Sequence, residues 1–156
     1  MLKHALFLFL LTLPFAAHAQ CYTRAEAEAD QGIRIHSELM VIGLNCQAIG
    51  ARHGMSPYED YRSFTADHAT LFETYENIMR RFYTANQMNA KDSLNDLRTR
   101  YANAISKVVA AQRPDVFCAR HIGRIAAASE MDEVKLRGWA ATLYPSHPVS
   151  YPLCQG

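Results

Sequence analysis

Between Tyr61 and Phe82 the residues Tyr61, Phe64, His68, Leu71, Tyr75, Ile78 and Phe82 recur at alternating spacings of 3 and 4. Those intervals return a side chain to the same face of an α-helix, whereas a strand would scatter it over both faces. The segment is therefore a helix buried along one side. Ser56-Pro57-Tyr58-Glu59 supplies its start, with a Ser cap, a Pro at the first helical position and a Glu in the first turn. The helix runs to about residue 85, and Phe72 with Met79 adds a second apolar row beside the first.

The same period recurs through the rest of the chain. Thr23-Arg24-Ala25-Glu26 has the form of a capping box, and Ile35, Leu39, Ile42, Cys46 and Ile49 follow on one face, so a helix spans about 23–49 with Gly50 as its stop. Asn89 caps a third helix, in which Leu94, Leu97, Tyr101, Ile105 and Val108 carry the buried face to about residue 111. A fourth begins at Pro114, where the missing N–H costs nothing. Its face starts with Cys118, Ile122 and Ile125, Ala126 to Ala128 suggest close packing, and the stretch from Ser129 to Glu133 bends or restarts it before Val134, Leu136 and Trp139. Beyond Tyr144, Pro145, Pro148 and Pro152 forbid a helix and favour an extended strap. Short connections make successive helices antiparallel neighbours. The expected fold is all-α, an up-down-up-down four-helix bundle over residues 20–143 with an extended tail over 144–156.

Residues 1–19, MLKHALFLFLLTLPFAAHA, combine a Lys, a short apolar run and a small-x-small ending, the form of a secretory signal peptide cleaved before Gln20. Lipidation at Cys21 fits poorly, because His18 and Gln20 stand where that processing wants a Leu and a small residue. No later stretch has the roughly 18 apolar residues of a transmembrane helix. The mature protein is expected to be periplasmic or secreted. Four cysteines then remain, Cys21, Cys46, Cys118 and Cys154, and an even count in an exported chain points to two disulfides. No C-x-x-C occurs, which removes zinc ribbons, thioredoxin-like sites and c-type haem attachment.

The bundle predicts which cysteines pair. Cys46 lies near the end of the first helix and Cys118 near the start of the fourth, at the same pole, whereas Cys21 and Cys154 meet at the opposite pole. Cys46–Cys118 and Cys21–Cys154 are thus the expected bridges, since a Cα separation much beyond about 7 Å cannot be spanned.

Charge is balanced overall but not along the chain: residues 20–79 carry 4 Lys/Arg against 9 Asp/Glu, and residues 80–156 carry 11 against 6. Near-neutrality argues against a nucleic-acid or anionic-membrane binder. The asymmetry predicts halves that pack on one another with complementary rims, or else self-association as a homodimer.

Few residues offer chemistry. His68 interrupts the cleanest apolar stripe, and at about 1.5 Å per residue Glu38 and Tyr101 fall at a similar depth, about 15–16 Å from the shared pole. A buried polar site of His68, Glu38 and Tyr101 is the expected arrangement. His36, His68 and His121 would form a zinc or copper site if they faced one interior. No Gly-x-Ser-x-Gly, His-Glu-x-x-His or phosphate-cradling Gly loop is present, and no catalytic residue or cofactor is assigned. The expected function is a non-enzymatic interaction or ligand-binding module whose partner is a protein or a small apolar ligand. A metal-handling protein and a small hydrolase lacking a motif are the alternatives.

Overall fold

The computed structural model describes residues 20–155, so the leader read at residues 1–19 lies outside the described residues. The longest element, α1 (Arg24–Ala51), has 28 residues and is about 42 Å long. Its start is the capping box: the Thr23 side chain accepts from the Glu26 N–H while the Glu26 carboxylate accepts from the Thr23 N–H at 2.7 Å. α1 touches every other helix. For that reason its buried residues surround the helix, and it is the axis on which the other rods assemble.

The second rod is the aromatic segment, divided into α2 (Pro57–Asp67) and α3 (Ala69–Ala85). The single expected helix is broken at His68, whose backbone (φ −110°, ψ 18°) leaves the helical region. Its ring Nε2 lies 3.0 Å from the carbonyl of Met131, so the break coincides with a tertiary hydrogen bond. Pro57 holds the first helical position, but the Ser56 side chain makes no capping bond. Both apolar rows are nevertheless buried, with Tyr61, Phe64, Leu71, Tyr75 and Phe82 in one and Phe72 and Met79 in the other.

The third rod, α4 (Ala90–Ala110), is capped by the Asn89 side chain, which accepts from the N–H groups of Lys91 and Asp92. Leu94, Leu97, Tyr101 and Ile105 are buried, whereas Val108 is exposed. The fourth rod comes in three pieces: α5 (Pro114–His121), α6 (Gly123–Ser129) and α7 (Glu133–Ala141), the last restarted by an Asp132 cap. Of the three alanines expected to pack closely, only Ala128 is buried. α3 packs on α4, α2 on α6, and all of them on α1. The fold is thus the expected four-rod bundle with two of its rods segmented.

Gly50 does not end α1. The helix continues to Ala51, and a Cβ on Gly50 would sit 2.6 Å from the ring of Pro57, so glycine there allows α2 to approach. The left-handed position that does require glycine falls later, at Gly54 (φ +69°).

Both disulfides form as expected. Cys46–Cys118 has a Cα separation of 5.5 Å and Cys21–Cys154 one of 4.9 Å, within the range that unstrained bridges span. They close 72 and 133 residues of chain, for which loop-closure entropy gives about 4.4 and 5 kcal/mol respectively. The tail bridge is reinforced by backbone bonds, from the Tyr22 N–H to the Pro152 carbonyl (2.7 Å) and from the Cys154 N–H to the Tyr22 carbonyl (2.9 Å).

Part of the uneven charge is matched within one molecule. Glu28 pairs with Arg137 at 3.2 Å, Glu38 with Arg124 at 2.8 Å, and Glu76 with Arg98, so acidic residues of the first half meet basic residues of the second. Among the described residues no helix is long and apolar enough to cross a membrane.

Candidate functional site

α1 buries five polar residues, Asp30, Gln31, Arg34, Ser37 and Glu38. Their spacing places them along one side of the helix, and most of them face the tail. Asp30, fully buried, accepts hydrogen bonds from the hydroxyls of Tyr22 (3.1 Å) and Tyr101 and from the Ser150 N–H at 3.4 Å. Burial, then the Asp30 carboxylate, drives the Tyr22 and Tyr101 hydroxyls well above the usual phenol range, so both stay protonated as donors. Next along the stripe, the Gln31 Nε2 donates to the His147 carbonyl at 2.7 Å and the Arg34 Nη2 donates to the Pro148 carbonyl. The polar stripe therefore seats the strap, satisfying backbone groups that have no helix or sheet to bond.

Farther along, the stripe opens into a cleft of about 290 Å³. Arg34, Ile35 and Glu38 of α1 line it together with Arg124 of α6, Trp139 of α7 and Tyr144 of the tail. The α1 residues are buried and form its floor, whereas Tyr144 is half exposed and lies at the rim. Arg124 bonds Glu38 at 2.8 Å and places its guanidinium carbon 6.0 Å from the Trp139 ring centroid. Arg34 lies over the Tyr101 ring at 4.4 Å, a cation–π contact. The lining combines two guanidinium groups, one carboxylate and a flat aromatic wall, an arrangement suited to holding an amphipathic molecule.

The residues expected to form a buried polar site are separated. Tyr101 belongs to the Asp30 cluster, Glu38 to the cleft, and His68 to the α2–α3 break, where it meets Met131 and the Phe64 ring at 5.0 Å. Equal depth along the bundle did not make them neighbours, because His68 points towards the α6–α7 connection. The three histidines weighed as metal ligands do not converge either. His36 contacts Tyr61, whose hydroxyl lies 3.2 Å from its Nε2, and packs edge-on against Phe72. His121 lies against Phe117, with ring centroids 4.5 Å apart. Among the described residues no group of three His, Cys, Asp or Glu side chains is placed to hold a metal ion. Burial, with the Arg98 charge second, lowers the His36 pKa to about 4 and keeps that ring neutral. Burial and the nearby Arg124 charge also lower His121.

Sequence reasoning missed Asp30, Gln31 and Arg34. Gln31, Arg34 and Glu38 do recur at 3 and 4, a stripe as regular as the apolar ones, but a polar stripe normally faces water. The tail, placed by Cys154, covers Gln31 and Arg34, and Arg124 of α6 covers Glu38. No family model, curated protein or solved structure matches the chain.

Proposed function

We propose that the protein is an exported, non-enzymatic binding module whose site is the cleft between α1, α6, α7 and the tail, and whose ligand is a small molecule. The observation that carries this reading is the convergence in one concavity of buried polar groups from α1, a cation from α6 and the face of Trp139. Ligand sites typically join a mostly apolar wall to a few placed polar groups, and this cleft has both. Its walls come from segments far apart in the chain, held by the Cys21–Cys154 bridge and the Asp30 cluster. A rigid frame of that kind lowers the ordering cost of binding. Export is supported by the leader at residues 1–19 and by two disulfides, which persist in oxidising compartments.

Two-dimensional NMR of the oxidised protein with a library of small neutral and charged fragments tests the site. The expected shifts cluster on residues 31–38, on Arg124 and Trp139, and on residues 142–147. Fragments that perturb only other surfaces, or none that perturb any, contradict the proposal.

A further inference from the structure

We infer that the ligand of the cleft is a small monocarboxylate with a flat apolar body, its carboxylate meeting Arg34 and its body lying along Trp139. The inference rests on the cleft being the binding site and adds the chemistry of what enters it.

Arg34 is only 9% exposed, yet among the described residues it has no carboxylate partner. The two acidic groups one turn away along α1 are engaged elsewhere: Glu38 pairs with Arg124, and Asp30 accepts from Tyr22, Tyr101 and Ser150. A guanidinium carries five N–H donors. Here Nη2 reaches the Pro148 carbonyl, while the enclosed Nε finds no acceptor. Arg34 thus has no direct ion pair, although the Asp30 charge lies one turn away, and an unsatisfied buried polar group calls for an explanation such as a missing ion. An anion entering the cleft supplies a direct counter-charge and an acceptor for the guanidinium donors that open on it.

The surroundings select which anion. The Arg124 charge is offset by Glu38, so the lining offers one net positive charge, which suits a monoanion and disfavours phosphate. A planar carboxylate matches the guanidinium fork. Ile35, Trp139 and Tyr144 give the lining an apolar, largely aromatic side, beside the polar Gln31, Thr142, Ser146 and His147. At about 290 Å³ the cleft lies at the small end of the range for ligand pockets, about 300–1,000 Å³, which suits a molecule as small as phenylacetate.

Trp139 is the single tryptophan of the chain, so its fluorescence reports on this cleft alone. Titrations with benzoate, phenylacetate and 3-phenylpropionate, each beside its neutral amide and beside inorganic phosphate, measure the preference, with calorimetry as a second readout. The expected result is saturable binding of an acid at least tenfold tighter than its amide, and weak binding of phosphate. Arg34→Gln should weaken acid binding by about tenfold to a hundredfold and bring acid and amide to parity. Because Arg34 also holds the tail, two further variants accompany it. Arg34→Lys keeps the charge and should retain the acid preference at reduced affinity. Tyr144→Ala, on the half-exposed rim, should weaken acid and amide alike. Equal binding of acid and amide by the unaltered protein overturns the inference while leaving the cleft as a site. Phosphate preferred over every acid, no acid binding at all, or a folded Arg34→Gln variant that keeps the acid preference also overturns it.

Discussion

His36 makes the stability of the fold depend on pH in a way that can be calculated. Its part-buried ring packs against Tyr61 of α2 and Phe72 of α3 with Arg98 of α4 nearby, and burial lowers its pKa from 6.5 to about 4. The folded protein therefore resists protonation that the unfolded chain accepts. Below pH 6.5 the unfolded state binds the extra proton, so the contribution is complete above that pH and disappears as pH falls from 6.5 towards 4. The full difference corresponds to about 3 kcal/mol, of which about 2 kcal/mol is gone by pH 5. Many carboxylates titrate near this range, so the variant His36→Gln, which keeps a polar group beside Tyr61 but removes the titration, is the proper reference. Urea unfolding of both proteins at pH 7, 6 and 5 gives the comparison. The native protein should lose about 2 kcal/mol more than the variant between pH 7 and 5. Parallel profiles, agreeing within about 0.5 kcal/mol, would refute the reasoning and place the imidazole in contact with water.

Other perturbations test the packing and the tail. Gly32→Ala would bring a Cβ within 2.3 Å of the fully buried Tyr75 ring, which its bond to Glu28 holds in place. Overpacking of about 1–3 kcal/mol should outweigh a helix-propensity gain of about 1 kcal/mol, lowering the urea midpoint. Gly138→Ala, with nothing within 4 Å of the new Cβ, should stabilise the fold by about 0.5–1 kcal/mol and so raise the midpoint. Tyr101→Phe removes a donor to the buried Asp30 carboxylate and should cost about 1.5–3 kcal/mol by chemical denaturation. Replacing Cys21 and Cys154 by Ser should cost up to about 5 kcal/mol, and amide hydrogen exchange should quicken at Tyr22 and Cys154, whose N–H groups bond across the tail junction.

The architecture was legible because it is written in local patterns. The stripes at 3 and 4, the capping box at Thr23, Pro57 and Pro114 at first helical positions and the Asn89 cap each act within one turn of helix, and all of them specify the same rods. The cysteine pairing followed, since only the placement of the poles was needed. The break at His68 was hidden for a physical reason. No Gly or Pro marks it, the apolar spacing passes through it unchanged, and its tertiary bond is to a carbonyl 63 residues away. Val108 failed in the opposite sense, as it keeps the period of its helix but lies beyond the neighbours that would cover it. The candidate site was hidden more deeply. Arg34 and Gln31 resemble an ordinary solvated face, and their burial depends on a tail more than 110 residues away. Depth along the axis, which grouped His68 with Glu38 and Tyr101, carries no information about the direction in which each side chain points.

The cleft, the seating of the strap and the enclosure of Arg34 all depend on the ends of the rods being joined in one particular way. Peptide mapping by mass spectrometry after non-reducing digestion of the oxidised protein tests that joining directly. Two cross-linked pairs are expected, one containing Cys21 with Cys154 and the other Cys46 with Cys118. A Cys21–Cys46 linkage, or free thiols in the oxidised material, would contradict the arrangement and with it the site.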